Sequence, residues 1–388
     1  MKILLIHQRN AFRDDSDETV DRELALLRGA KVEVELWERA EPKTLGSLSG
    51  IRSEFSYSSQ AKAELAARLA SFRPRLVHVH NFLPSFTPSI YDACLEAKVP
   101  VIQTVHDFKF FCANGQLVRE GKPCELCLGN STLPAIRYSC HEGSRLSTLA
   151  YARMISRHRK ENTWGRKVSA FIAQSHFSAA KLVQGGIPKE HIHVKPGFAH
   201  PPPVESIRAS DLYALYVGKL TKERGLLTLL KAWEGVETPL WIVGDGPLRA
   251  ELEARKSTTI KVLGEMPPQS ISRVMGKAEF LVVPSESYDS FPLPIADAFA
   301  FGLPVVASRI GMLAETIRHE KNGLLFEPGN VENLRNVVRK LAKDNRLVDR
   351  LGAGARLDYA DRFTPKKNLQ TLLEIYQAAF KAKLPQTL

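Results

Sequence analysis

The run Phe280-Leu281-Val282-Val283-Pro284 leads into Ser285-Glu286-Ser287-Tyr288-Asp289-Ser290-Phe291-Pro292-Leu293. Pro294-Ile295-Ala296-Asp297-Ala298-Phe299-Ala300-Phe301-Gly302 and Leu303-Pro304-Val305-Val306-Ala307-Ser308 follow. The first run is short and apolar throughout, as in a strand buried on both faces. Pro294 suits a first helical turn, and Gly302 suits a left-handed helix stop. Val305–Ser308 then reads as a second strand. Strand, crossover helix and strand make a parallel βαβ unit.

Working outward, the unit repeats. Strands are read at Tyr213–Gly218, Leu240–Gly244, Ile260–Leu263, Phe280–Pro284, Val305–Ser308 and Gly323–Phe326. Helices open near Gly225, Pro247, Gln269, Pro294, Met312 and Asn330. An earlier series has strands Lys2–His7, Val32–Trp37, Leu76–His80 and Val99–Val105, with helices Thr19–Leu27, Ala61–Phe72 and Ile90–Ala97, and it resumes at Val168. From Asp107 to Gly143 the period is lost in a stretch rich in Cys, Gly and Pro. Pro201-Pro202-Pro203 continues neither a helix nor a central strand and reads as a linker. The expectation is an α/β chain of two Rossmann-like, doubly wound domains. The first is residues 1–200 with the insertion 107–143, the second is residues 204–363, and a terminal helix within 364–388 packs back on the first. Ligands of such sheets sit beyond the carboxyl ends of the strands, so two facing ends would form a cleft.

The totals agree with two cores. The chain has 388 residues, 44% hydrophobic and 25% charged, and no apolar run approaches the roughly 20 residues that span a bilayer. Apolar Ile3–Ile6 is too short for a signal peptide and polar His7-Gln8-Arg9-Asn10 follows it, so a cytoplasmic protein is expected. A net charge of +12 favours anionic partners: nucleotides, phosphorylated lipids, membrane surfaces or nucleic acid.

Three turns of the second half carry candidate chemistry. In Val217-Gly218-Lys219-Leu220-Thr221-Lys222-Glu223-Arg224-Gly225 two cations sit where a helix N-terminus supplies free N–H groups, the makings of a diphosphate site. The alternative is a solvated charged turn. Gly244-Asp245-Gly246-Pro247-Leu248 lets a ligand approach the backbone, or is an ordinary turn. Asp289 and Asp297 can accept sugar and ribose hydroxyls, unless Asp289 only caps the helix. In the first half His106 ends a strand, where a histidine is more often structural than catalytic.

These segments, in this order and spacing, resemble the large family of retaining, nucleotide-sugar-dependent glycosyltransferases with the GT-B fold (family 4-like, group 1). Lys219, Arg224, Gly244-Asp245-Gly246-Pro247-Leu248, Gly302-Leu303-Pro304-Val305-Val306 and Asn322-Gly323-Leu324-Leu325-Phe326 match its pattern. The resemblance implies a hexosyltransferase-like enzyme that needs no catalytic metal and acts on a glycan or polyprenyl-linked acceptor. Lys219 and Arg224 would hold the donor diphosphate beside Gly218, Gly244 and Gly246. Asp289 and His106 would flank the transferred sugar and Asp297 would take the ribose. Main chain at Leu263 and Gly264 would meet the base, with Phe291 and Leu293 completing the donor site. His78-Val79-His80-Asn81 also matches a family signature and reads mainly as strand-end structure.

The departures are specific. The family's paired glutamates are aspartates here, each carboxylate retracted by roughly 1.5 Å. The glycine-rich first loop on the acceptor side is acidic here, around Ser16, Asp17 and Glu18, and would repel a phosphate. Gly197 stands where relatives have Asn.

Cys112-x11-Cys124-x2-Cys127-x12-Cys140, with His141 next, has zinc-like spacing, and a similar insertion occurs in one branch of the family. A structural zinc would shape an insertion without a core; the other reading is four reduced cysteines packed as small hydrophobes. Arg153, Arg157, Arg159, Lys160, Arg166 and Lys167 punctuate Leu146, Leu149, Met154, Ile155 and Trp164. That stretch is either a peripheral contact for an anionic membrane, at the inner face of the plasma membrane, or a core-packing helix with a basic face. The rival functions are a degenerate GT-B protein that binds a nucleotide or glycan without turnover, a zinc-containing nucleic-acid binder, and a hexose epimerase. Two Rossmann-like halves with a diphosphate turn argue against nucleic acid as partner.

Overall fold

The computed structural model describes residues 1–10, 14–40, 57–202, 213–255, 257–289 and 291–381. The chain forms two compact units. One holds Met1–Arg119, Cys124–Lys195 and the terminal helix from Leu369; the other holds Pro196–Asn368 with Glu120–Pro123. The division therefore falls at Pro196, ahead of the prolines expected to form the linker. Pro203, residue 204 as a domain start and the chain beyond 381 lie outside the described residues.

The sheet of the first unit comprises β1 (Lys2–Arg9), β2 (Glu33–Ala40), β3 (Leu76–Val79), β4 (Val101–Thr104), β5 (Ala170–Ala173) and β6 (Ile192–Val194). They lie in the order β2-β1-β3-β4-β5-β6, all parallel. Ile3, Leu4, Leu5 and Ile6 of β1 are all fully buried, because helices cover both faces. Leu4, Ile6, Val77 and Val79 pack with Ala61, Leu65 and Leu69 of helix Ser59–Phe72. Ile3, Leu5 and Ile172 pack with Leu24 and Leu27 and with Leu372, Ile375 and Tyr376 of the terminal helix Pro365–Lys381.

Helix α1 runs Asp15–Gly29, longer than expected. The Asp14 carboxylate accepts from the Ser16 and Asp17 N–H groups and the Asp17 carboxylate reaches back to the Asp14 N–H, a capping box that starts the helix early. Ser16, Asp17 and Glu18, expected in a loop, are therefore in its first turn. The Cys-rich insertion has a core after all: Phe110, Phe111, Cys127 and Leu128 are buried in the main cluster.

The second unit holds β7 (Ala214–Val217), β8 (Leu240–Val243), β9 (Ile260–Gly264), β10 (Phe280–Val283), β11 (Val305–Ser308) and β12 (Gly323–Phe326). Their order is β9-β8-β7-β10-β11-β12, again all parallel. The chain winds outward from β7, returns, and winds the other way from β10, so the switch point lies between those two strands, where such sheets bind ligands. Helix Leu293–Phe301 carries Pro294 in its first turn and stops at Gly302 with φ 70°. The helix expected at Pro247 opens later, at Arg249, and helix Asn345–Asp358 was not foreseen.

Candidate functional site

Backbone hydrogen bonds sew the loops after the central strands of the second unit together. Leu220 N–H donates to Asp245 O at 2.9 Å and Leu248 N–H to Leu220 O at 2.9 Å. Glu286 N–H donates to Glu223 O at 2.9 Å and Gly244 N–H to Gly264 O at 2.9 Å. Two glycines permit this closeness. A Cβ on Gly225 (φ 70°) would stand 1.8 Å from Pro284 O, and one on Gly244 (φ 138°) 1.9 Å from Gly218 O. Gly218, Lys219, Arg224, Gly244, Gly246 and Gly264 are thus brought to one edge by main chain rather than by side-chain packing.

Across the switch point, Arg224 Nη1 lies 2.7 Å from Asp289 Oδ1. Ser285 Oγ donates to the other carboxylate oxygen at 2.5 Å. Helix Leu293–Phe301 is capped at Pro292 with no side-chain hydrogen bond, so Asp289 is not a cap. Its carboxylate is 6% exposed while Arg224 is 24% exposed, so the pair stands at the lip of the strand ends. Asp297 follows in the middle of that helix, half-buried. Phe291 and Leu293, expected in the donor site, are buried, each 2% exposed. Phe291 packs on Phe363, and a Cβ on Gly197 would meet Leu293 and Phe291 at 2.7 and 2.8 Å. That packing leaves no room for a side chain at Gly197.

The first unit gathers polar side chains at its own switch point, between β1 and β3. His7 Nε2 is 2.7 Å from Asp17 Oδ1, and Asn81 Nδ2 donates to Ser16 Oγ at 3.0 Å. The acidic turn expected to repel phosphate is engaged internally. Asp17 faces His7, Glu18 pairs with Arg22 at 3.0 Å, and Asp21 and Glu38 are bound by Arg9 at 2.6 and 2.9 Å. His106 follows β4, half-buried, with Nε2 2.9 Å from His80 Nδ1. His78 is structural: it meets Tyr376 OH at 2.8 Å and Thr104 Oγ1 at 2.7 Å.

Glu23 was missed. It is fully buried, 3.0 Å from Lys195 Nζ, 3.2 Å from His78 Nδ1 and 3.3 Å from His80 Nε2. Burial alone would raise its pKa, but Lys195 and His78 overcome that and hold the carboxyl well below its usual value. Burial, reinforced by neighbouring His78, lowers His80 to about 3. Burial likewise lowers His106, so both rings are neutral.

Cys112, Cys124, Cys127 and Cys140 all line one cavity of about 20 Å³, the size of a single ion or water. All four are free thiols. Burial pushes Cys112 up to about 11 and raises Cys127 and Cys140. Among the described residues, Glu23, His78 and His80 are the one set of three or more such groups with ligand atoms within 4.8 Å of one another, so the sulfurs stand wider than in a closed tetrahedral site. The donor set and the cavity fit zinc; ligation would draw the sulfurs inward.

The basic stretch forms helices Arg145–Lys160 and Thr163–Lys167. Met154, Ile155 and Trp164 are buried in the core, whereas Leu149 is half-buried and Leu146 is exposed. Among the described residues no helix is long and apolar enough to cross a membrane.

Two doubly wound parallel sheets, each with its polar residues at its switch point, define the GT-B class. Within it, the chain belongs to the group 1, family 4 glycosyltransferases. The model described as Glycosyltransferase Family 4 matches residues 25–199 and the model described as Glycosyl transferases group 1 matches residues 202–358. An uncharacterized glycosyltransferase of Methanocaldococcus jannaschii is 27% identical over 42% of this chain and 48% of its own length. The chain thus spans about half the length of that relative. Sucrose-phosphate synthase of Thermosynechococcus elongatus shares the fold with TM-score 0.73, at 17% identity over 99% of this chain and all of that one. HepE of Anabaena, solved in complex with UDP, does so with TM-score 0.69, at 18% identity over 97% and 100%.

Proposed function

We propose that the protein is a retaining glycosyltransferase that moves a sugar from a nucleotide-sugar donor to a hydroxyl of a glycan or polyprenyl-linked acceptor, without a catalytic metal. The observation that carries this reading is the 2.7 Å Arg224–Asp289 pair across the switch point of the second sheet. A guanidinium there, with Lys219 on the same loop, supplies the charge that a departing diphosphate needs. In this reading Asp289 accepts a sugar hydroxyl, Asp297 accepts a ribose hydroxyl, and main chain at Leu263 and Gly264 meets the base. His106 contributes the hydrogen-bonding group of the first unit. The UDP complex of HepE makes UDP-sugars the first donors to try.

The test is a panel of UDP-, GDP-, ADP- and dTDP-sugars, read by thermal shift, by donor hydrolysis or transfer, and by NMR of the product anomer. Inversion at the anomeric carbon would refute retention, and undiminished turnover in EDTA supports metal independence. A second reading, a binder without turnover, draws on Asp289 being already engaged by Arg224 and Ser285. Stabilisation by a donor with neither hydrolysis nor transfer would select it.

Two auxiliary roles complete the reading. The four cysteines hold a structural zinc that fixes the insertion, each thiolate bound to the ion. On the cytoplasmic face of the membrane, exposed Arg153, Arg157, Lys160 and Arg166 make a purely electrostatic contact with anionic lipid. Co-sedimentation with phosphatidylserine vesicles should vanish in high salt; salt-resistant binding would contradict it.

A further inference from the structure

Glu23, His78 and His80 have ligand atoms within 4.8 Å of one another, the spacing of a metal site. Lys195 argues otherwise. Its ammonium, 4% exposed and 3.0 Å from Glu23 Oε2, already supplies the positive charge this buried carboxylate needs. A divalent ion would have to share that space with it.

What remains is a directed chain of three groups. Glu23 Oε1 lies 3.3 Å from His80 Nε2, both atoms buried without a hydrogen-bond partner among the described residues, so this contact is electrostatic, whereas His80 Nδ1 and His106 Nε2 share a hydrogen bond at 2.9 Å. A carboxylate only accepts, and each neutral imidazole donates from one nitrogen and accepts at the other. Were His80 protonated on Nδ1, the lone pair of its Nε2 would point at the Glu23 carboxylate inside a dry core. Nε2 therefore carries the proton and Nδ1 accepts. The hydrogen between the two histidines then belongs to His106 Nε2, and His106 Nδ1 is left as a lone pair. Lys195 Nζ donates to the other carboxylate oxygen of Glu23 at 3.0 Å and holds it beside this chain.

We propose that Glu23 and His80 are positioning residues that lock His106 in its Nε2-protonated tautomer, so that its Nδ1 is a hydrogen-bond acceptor for a hydroxyl of the transferred sugar. The assignment of sugar to His106 rests on the transferase reading above; the tautomer does not. His106 acts as a neutral acceptor and not as a general acid.

Nitrogen-15 histidine NMR of the full chain reads the tautomer without substrate. Wild type should show His106 protonated at Nε2 and bare at Nδ1. His80→Phe and the charge-balanced pair Glu23→Gln with Lys195→Gln should turn His106 into a tautomer mixture. Both should lower kcat by about tenfold or more with donor KM moved less than about twofold. His80→Asn, whose Oδ1 can replace the accepting Nδ1, should restore the tautomer and most of kcat. A wild-type His106 protonated at Nδ1, or a tautomer and kcat unmoved in folded variants, would overturn the proposal. Should His80→Phe not fold, the double variant and His80→Asn decide the matter. Absence of turnover with every donor, beside the expected tautomer, would sink the transferase reading and leave the relay standing.

Discussion

Gly225→Ala is the sharpest local test of the donor-site geometry. Gly225 ends the basic turn with φ 70°, and a Cβ there would lie 1.8 Å from Pro284 O and 2.8 Å from its carbonyl carbon. Relief to the 3.0 Å floor of real Cβ contacts means moving one loop by at least about 1.2 Å. The obstacle is backbone, so no side chain can rotate aside. Left-handed backbone at a residue with a Cβ costs on the order of 1–2 kcal/mol, and overpacking typically another 1–3. The sum, roughly 2–5 kcal/mol, would lower the melting temperature of the second unit by on the order of 10 °C. The same shift separates Arg224 from Asp289, so donor affinity should fall by tenfold or more, about 1.4 kcal/mol. Urea unfolding and donor titration measure the two effects separately. A variant that melts within about 2 °C of wild type and binds donor equally well would show that the two loops are not locked at Gly225, and the reasoning fails.

Asp289→Asn keeps the shape and removes the charge. It should lower kcat by about 100-fold with a stability loss of about 1–3 kcal/mol, and a fully active variant would remove Asp289 from the reaction. Cys124→Ser with Cys127→Ser should cut zinc, read by plasma mass spectrometry, from about one ion per chain to none and destabilise the insertion; wild type purified without any zinc would refute that site. Acid should destabilise the first unit through Glu23 and His80 together. His80 is lowered from 6.5 to about 3, so from about pH 6.5 downward the unfolded chain binds a proton that the folded one refuses, and stability falls by about 1.4 kcal/mol per pH unit. Glu23, depressed below 4.5, adds a loss of the same sign below that pH. His80→Asn should flatten the upper part of the profile, and an identical profile in the variant would contradict the linkage.

The fold was legible because both sheets are parallel and buried on both faces. Each central strand shows as a compact apolar run, as in Ile3–Ile6 or Phe280–Val283, and the crossover helix between the fourth and fifth strands of the second sheet carries its own stop at Gly302. Loops that place side chains by main-chain geometry were legible too, since Gly218, Gly225 and Gly244 mark them. What escaped was chemistry on the buried faces of helices. Val20, Glu23, Leu24 and Leu27 fall on one helical face, so a charged residue stood in a core position of α1, and that signal went unused. Its partners, Lys195, His78 and His80, come from distant β strands and loops, and only the fold unites them. The partners of the acidic turn were hidden for a similar reason, because His7 and Arg9 meet Asp17 and Asp21 only in the fold. The burial of Phe291 and Leu293 depends on Phe363, which packs on Phe291, and on Gly197, which leaves room for both; neither neighbour is near in sequence.

The central claim is that Arg224 and Asp289 mark a nucleotide-sugar donor site. Its most direct test is isothermal titration of wild type and Arg224→Ala with UDP-glucose, and with the other nucleotide sugars if that one is silent. The account predicts saturable binding of one donor class at one site per chain, weakened at least about 100-fold by Arg224→Ala while the fold survives. Undiminished binding in the variant, or no binding of any nucleotide sugar to well-folded wild type at millimolar concentration, would contradict it.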